Sequence, residues 1–415
     1  MSSRLLSLIS ATVLALGTSA SIIETDRTWY LAGEPMKVSV TADNALIAYA
    51  ELCDTYGLAT GAAISLKAGE GTGIIELPSD LHSGYYVLSV YTRHDTNVSH
   101  QLVAIINPLR KSKDDDIEWV KITHPDSLSY SQAGEGDRFS TTDLVGEKAA
   151  DIRETEGHII KARIKNNYDG HTFRGDQICP SISIVGKQIH YFEGKMINDS
   201  MAVFYTFGIH GKQPLVLSAM SSTGVSLPIE MISPFATLLP KRLPHLVFHY
   251  NRSEVEARSL DMQRHQMIES DSESQATEIP LDYDETVSGT KPDLTYNLDE
   301  YRQFLTIREV LIEYVNCVSK RKINGVSRLF VSKDQEYNIT FWPSLVLIDG
   351  MPVIDIERLL NYDARRVHYI NIYGGQYTFG NGVYNGILSF VTRSGQLTNY
   401  PTEPNVQYLV YKFPE

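Results

Sequence analysis

Short apolar runs that alternate with polar residues, each closed by a turn, dominate this 415-residue chain. Lys37–Thr41 alternates residue by residue, Tyr85–Tyr91 is a β-branched and aromatic run behind Ser83-Gly84, and Gln101–Ile106 stops at Asn107-Pro108. Further turn signals stand at Ala32-Gly33, Tyr56-Gly57 and Gly69–Gly73. A period of two places alternate side chains on opposite faces, so these runs predict half-buried strands. Strands this short with turns this frequent predict β-sandwiches. The length predicts several cores rather than one.

Charge and cysteine content narrow the function. Lys plus Arg is 37 against 50 Asp plus Glu, a net charge of −13. A nucleic-acid or anionic-membrane binder needs a basic surface, so neither partner is expected. The three cysteines, Cys53, Cys179 and Cys317, are too few and too far apart for a metal knuckle or a disulfide framework, and buried thiols are expected. Asp114-Asp115-Asp116 is read as solvated surface rather than a cation site, and His245 and His249, four apart, lack a third ligand. The chain has no Gly-x-Ser-x-Gly elbow, no His-Glu-x-x-His, no P-loop and no Cys-Gly-Glu-Gln thioester string. A non-enzyme with no cofactor and no metal is expected.

Organisation follows from composition. Residues 1–20 read as a secretory signal peptide: Arg4, an apolar run from Leu5 to Leu16, then small residues to Ala20. Residues 21–108 and 147–250 are expected to be two β-sandwiches, with a polar linker at 109–146. Residues 251–296 are expected to be an acidic flexible linker, since Ser253–Asp299 carries 12 acids against three bases and few apolar residues. Asn297 with Glu300 fits a capping box opening a helix through Phe304, Ile307, Leu311 and Tyr314. Cys317–Lys322 and Val326–Val331 around Asn324-Gly325 predict a hairpin. The third block, 297–396, continues with a buried strand Leu345–Ile348 into an Asp349-Gly350 turn, an alternating strand Val367–Tyr373, a glycine-rich aromatic loop and a last strand Ile387–Thr392. Residues 397–415 are taken as a tail.

Two stretches resemble known families. Asp26-Arg27-Thr28-Trp29-Tyr30-Leu31-Ala32-Gly33-Glu34, followed by Leu77-Pro78-Ser79-Asp80-Leu81-His82-Ser83-Gly84-Tyr85-Tyr86, resembles macroglobulin-type (MG2-like) domains. Leu345 to Val353, Arg366 to Tyr373, Gly380 and Gly386 to Gly395 resemble the plug domain of TonB-dependent outer-membrane receptors, especially the SusC-like receptors of Bacteroidota. The resemblance implies Asp349, Gly350, Pro352, Gly380, Gly386, Thr392 and Gly395 as the plug-like motif. Only 20 residues follow Gly395, so the barrel that normally surrounds a plug is not expected.

The resulting expectation is a mainly β, multidomain chain: immunoglobulin-like or MG2-like sandwiches followed by a small α+β plug-like domain. The expected role is a non-enzymatic envelope protein, exported to the periplasm or outer membrane, without a transmembrane span, docking to an outer-membrane partner. The alternative is a glycan- or peptide-binding uptake accessory, with Tyr373, Tyr377, Phe379 and Tyr384 as a contact surface.

Overall fold

The computed structural model describes residues 21–124, 127–135, 137–140, 143–145, 148–185, 189–275, 286–323, 325–332, 343–379, 382–394, 400, 403 and 405–415, with backbone only at 265 and 268–275. The protein is mainly β, 52% strand against 11% helix. It divides into two units. Unit 1 holds the described residues through His158 with Phe235–Gln275 and Lys412–Glu415; unit 2 holds Ile159–Pro234 and the described residues from 286 through Tyr411. No described helix is long and apolar enough to cross a membrane.

Unit 1 is built on a five-stranded sheet, in the order Trp29–Leu31, Ser99–Ile106, Gly84–Thr92, Ile47–Cys53, Leu58–Ser65. A three-stranded sheet of Ile22–Thr25, Pro35–Thr41 and Glu70–Glu76 faces it. The alternation read from the sequence is kept in Pro35–Thr41: Met36, Val38 and Val40 are buried while Pro35, Lys37 and Thr41 are exposed. Between the sheets lie Tyr30, Ala50, Leu52, Ile64, Ile75 and Leu88. The first resembled string has a structural use: Tyr30 donates to Asp26 Oδ1 at 2.5 Å, and Glu34 Oε2 accepts from Leu31 N at 2.8 Å.

Ile47–Cys53 and Gly84–Thr92 are buried at every residue, which one covered face cannot explain. A second three-stranded sheet, Tyr130–Ala133, Leu246–Tyr250 and Ile117–Lys121, is responsible over part of the other face. Its Leu246 and Phe248 pack on Trp29, Leu31, Tyr85 and Ile106. This corrects two expectations. The stretch 109–146 contains paired strands, and the end of the expected second sandwich, 147–250, belongs to unit 1. Ile117–Lys121 is short and none of its residues is fully buried, which hid the strand.

The expected flexible linker at 251–296 is also corrected, because Arg252–Gln275 forms a helix, α1. A few well-placed anchors offset its low apolar content. Val255, Ser259 and Met262 are buried along one face, at spacings of four and three. From that face Arg258 donates to Glu34 Oε1 at 3.0 Å and Oε2 at 2.5 Å, and its guanidinium lies 3.7 Å from the Trp29 ring centre. Leu260 and Met267 point outward.

Unit 2 contains two four-stranded sheets packed together. One runs Lys195–Asn198, Met201–Thr206, His158–Ile164, Ile229–Ile232; the other runs His190–Glu193, Ile178–Ile184, Gly211–Ser221, Gln407–Phe413. The expected tail therefore contributes an edge strand. A five-stranded sheet follows: Leu294–Asn297, Val367–Phe379, Gly382–Thr392, Leu345–Ile348, Met351–Pro352. Helices α2 (Ile307–Glu313) and α3 (Ile356–Leu360) and the hairpin Val318–Ile323/Val326–Val331 share its core through Val310, Leu311, Leu329, Leu359, Leu388 and Phe390. The hairpin agrees with the sequence reading; its Asn324 lies outside the described residues. The helix starts later than expected. Asn297 caps a short 3₁₀ turn, and Thr306 with Glu309 supplies the capping box that opens α2.

Replacing Arg258 with Ala leaves the buried Glu34 carboxylate with the Leu31 amide and with Arg27, 3.6 Å away. We expect Arg258→Ala to lower stability by about 3 kcal/mol in denaturant titration, with loss of helical signal at 222 nm; an unchanged midpoint would remove the anchoring role of this pair.

Candidate functional site

The resembled plug motif forms a buried lock in unit 2. Leu345–Ile348 and Met351–Pro352 pair through a two-residue turn in which Asp349 has φ 46° and Gly350 φ 86°, the left-handed pair of a type I′ turn. The Asp349 carboxylate is fully buried. It accepts from Thr392 N at 2.7 Å and from Thr392 Oγ1 at 2.6 Å, and Asp349 N donates to Phe390 O at 2.8 Å. The turn is thereby tied to Gly382–Thr392, the parallel neighbour of Leu345–Ile348. Ser183 Oγ donates to the Gly350 carbonyl, and Pro352 is buried. Gly386 (φ 87°) sits where pairing shifts from Tyr373–Ile387 to Gln376–Asn385; a Cβ there would lie 2.7 Å from Val331 Cβ. Gly380 and Gly395 lie outside the described residues.

The four expected contact residues do come together, but largely facing inward. Tyr373 is fully buried, and its hydroxyl accepts from Val287 N at 3.1 Å. Tyr377, Phe379 and Tyr384 are partly buried against Ile189, Tyr191, Leu345 and Ile387. Tyr191 meets Phe379 and Tyr384 edge-on, with ring centres 5.6 and 5.8 Å apart. The Tyr191 and Tyr384 hydroxyls are 2.8 Å apart, and Tyr384 donates to Glu193 Oε2 at 2.5 Å. Burial pushes the Glu193 carboxyl up, against the lowering effect of the Tyr384 hydrogen bond. Sequence reading picked out the aromatic loop and missed its floor, because Tyr191 and Glu193 lie almost two hundred residues earlier.

A second feature of unit 2 is an open cleft of about 560 Å³, between Gly224 and Ser226, the hairpin, and residues 354–358 leading into α3. Its charges largely neutralise one another. Glu357 accepts from Arg308 at 2.8 Å, from Ser327 Oγ at 2.6 Å and from Lys320, which together hold its carboxyl down at about 2. Arg358 Nη1 lies 3.4 Å from the buried Glu403. Among the described residues no aromatic ring lines the cleft.

The remaining polar candidates act as structural pins. Asp115 accepts from Ser83 N and Ser112 N at 2.7 and 2.8 Å. Asp116 and His245 pair at 2.5 Å, while the ring of His249 stacks on Tyr130. Among the described residues no group of three potential ligands could hold a metal. The cysteines are free; Cys53 is buried, Cys317 half-buried, and Cys179 exposed rather than buried as expected.

Sequence reading also missed a buried ionic cluster in unit 1, around Tyr49, Arg93, Glu154 and His158. Tyr49 donates to Glu154 Oε1 at 2.7 Å, Arg93 Nη2 donates to the Tyr49 hydroxyl at 2.9 Å, and His158 Nδ1 lies 3.2 Å from Glu154 Oε1. A signal was present: Glu51 and Arg93 sit inside or directly after strands that are otherwise apolar.

Comparison with known proteins gives limited guidance. No protein-family model matches, and no curated protein matches. Among solved structures, similarity is found to a biofilm-associated protein BSP domain (10% identity, TM-score 0.17, covering 55% of this chain and 29% of that one). It is also found to elastase-activated Escherichia coli alpha-2-macroglobulin (10%, 0.20, 54% and 20%) and to methylamine-reacted Salmonella alpha-2-macroglobulin (11%, 0.20, 54% and 15%). The chain thus spans under a third of the length of each. At such scores the fold rests on the strand pairings described above rather than on these likenesses.

Two outcomes follow. Asp349→Ala removes both bonds to Thr392 and leaves Ala at positive φ, so urea unfolding should show a loss of about 3 kcal/mol, against about 1 for Thr392→Ser. A carboxyl whose value is raised in the folded state penalises folding once ionised, and the penalty is relieved as pH falls through that raised value. Glu193→Gln should therefore stabilise unit 2 by about 1 kcal/mol at pH 7 and flatten its gain toward pH 5 in thermal melts; a destabilised variant would show that the charge is needed.

Proposed function

We propose that the chain is a non-enzymatic cell-envelope protein whose α+β module in unit 2 docks to an outer-membrane partner, with the sandwiches as spacers. One observation carries the reading: the two strings that resemble a receptor plug meet in a single lock, Asp349 with Thr392, and are used for rigidity. A rigid module with its recognisable residues buried suits docking better than catalysis. The macroglobulin-type resemblance of residues 21–108 fits spacer sandwiches, and the leader at 1–20 fits export to the periplasm or outer membrane.

Among the described residues the module leaves several large apolar side chains outside, Leu305 and Ile312 more than Leu294 and Ile323. Leu305 is 64% exposed and Ile312 69%. Leu305 lies just before the Thr306 cap of α2 and Ile312 in its last turn. The glycan or peptide accessory reading loses support, because Tyr373 is buried and Tyr384 is tied to Tyr191 and Glu193.

Crosslinking the purified protein to outer-membrane fractions tests the choice. Capture of an integral outer-membrane protein, lowered about tenfold by Leu305→Asp/Ile312→Asp and unchanged by Tyr377→Ala, is the expected result. Binding of a glycan or peptide that disappears in Tyr377→Ala, with no membrane protein captured, would replace docking with the accessory role.

A further inference from the structure

The hairpin of unit 2, Val318–Ile323 with Val326–Val331, carries Lys320, Arg321, Lys322 and Arg328 and no acid, in a chain whose net charge is −13. On one face Lys320 is taken up by Glu357 of α3. The other face has no such partner. Pairing sets Arg321 directly across from Arg328, and alternation puts Phe330 on the same side. Residues directly opposite in an antiparallel pair stand about 5 Å apart at Cβ, where like charges repel.

Each guanidinium is held by an uncharged group. Arg321 lies over the Phe330 ring, 4.9 Å from its centre, and Arg328 donates through Nη1 and Nη2 to Met220 Sδ at 3.4 and 3.5 Å. Among the described residues neither arginine makes an ion pair, and apart from the two bonds to Met220 their N–H donors have no acceptor. Arg321 is exposed and Arg328 half-buried. Burial holds the Arg328 guanidinium below its ordinary value, and the titratable groups that act on it are Cys179 and Tyr384. Burial pushes both of these up, the Cys179 thiol to about 11, so both are neutral at pH 7. The ring and the thioether therefore position two cations and leave their charge uncompensated. Such a breach of sheet chemistry, with no local compensation, belongs to a site rather than to a scaffold.

We propose that Arg321 and Arg328 form a fork that binds one phosphate or sulfate group of a small ligand. A guanidinium presents its N–H donors in a planar array that matches oxyanion oxygens, and a doubly charged anion balances two cations that otherwise repel. The repulsion that weakens the empty hairpin is relieved when the anion is bound, so binding also tightens the hairpin. A small ligand fits better than a polymer. A nucleic acid, a sulfated polysaccharide or an anionic bilayer would bring many negative charges against a chain of net charge −13. The fork makes no use of Leu305 or Ile312, so it stands apart from the docking role.

Amide spectra of the deuterated full chain test this, with sodium chloride exchanged for sodium phosphate at constant ionic strength. The amides of Arg321 and Arg328 should shift and saturate at millimolar phosphate, and sulfate should compete. Arg321→Gln should weaken phosphate binding about tenfold. Arg321→Lys, which keeps the charge and loses the planar fork, should weaken it about threefold. Both changes are at an exposed side chain, so both leave the core intact. Equal phosphate affinity in Arg321→Gln would overturn the proposal, as would shifts that grow without saturating or that chloride reproduces. Heparin or phosphatidylglycerol vesicles that bind through Arg321, with the hairpin amides unmoved by phosphate, would overturn the assignment to a small ligand.

Discussion

A sheet covered on both faces obliges every polar group inside it to find a partner, and unit 1 is organised by that obligation. Ile47–Cys53 and Gly84–Thr92 have no solvent side. Leaving a buried donor or acceptor unpaired costs about 1–3 kcal/mol, more for a charge. Glu51 and Arg93 therefore decide where the irregular segments around Thr237 and Glu154 run, because the amides and carboxylates of those segments are the groups that satisfy them. Apolar burial supplies the stability, while the polar insertions set where the covering chain lies.

Unit 2 meets the same obligation with shorter-range devices. Asp349 satisfies its buried carboxylate within the sheet it terminates, using one residue of the neighbouring strand. Glu357 collects two cations and a hydroxyl at the rim of the cleft. Glu357 thereby links α3 to α2 and to the small hairpin, so these elements are held electrostatically as well as by packing.

How much of this the sequence disclosed depends on the range of the interaction. The alternation in Pro35–Thr41, the hairpin ending at Val331 and the Asp349-Gly350 turn are local signals, and each appears as expected. The strands at Ile117–Lys121 and Gln407–Phe413 were missed because they are short and their partners are remote in sequence. Helix α1 was hidden for a different reason. Its low apolar content matches a disordered stretch, and its attachment depends on Arg258 reaching Glu34, which no window of sequence contains. The aromatic residues at 373–384 entered the sequence reading as the contact surface of the alternative function. Their inward orientation is set by Tyr191 and Glu193.

The order in which the strands of unit 1 occur along the chain has a kinetic consequence. Ile117–Lys121 has its hydrogen-bonding partner in Leu246–Tyr250, and Ser65 N donates to the carbonyl of Glu415 at 3.0 Å. All of the first part of unit 2 is threaded between those partners. Contacts of such separation form late, since the entropy of closing a long loop must be met before the contact rewards it. A chain emerging from its N-terminus can complete the first sandwich early, yet the Leu246 and Phe248 that cover Trp29, Leu31 and Tyr85 arrive only after the first part of unit 2. During that interval Trp29, Leu31 and Tyr85 form an uncovered apolar surface, which makes this the stage of folding at which the protein is most open to a chaperone or to aggregation.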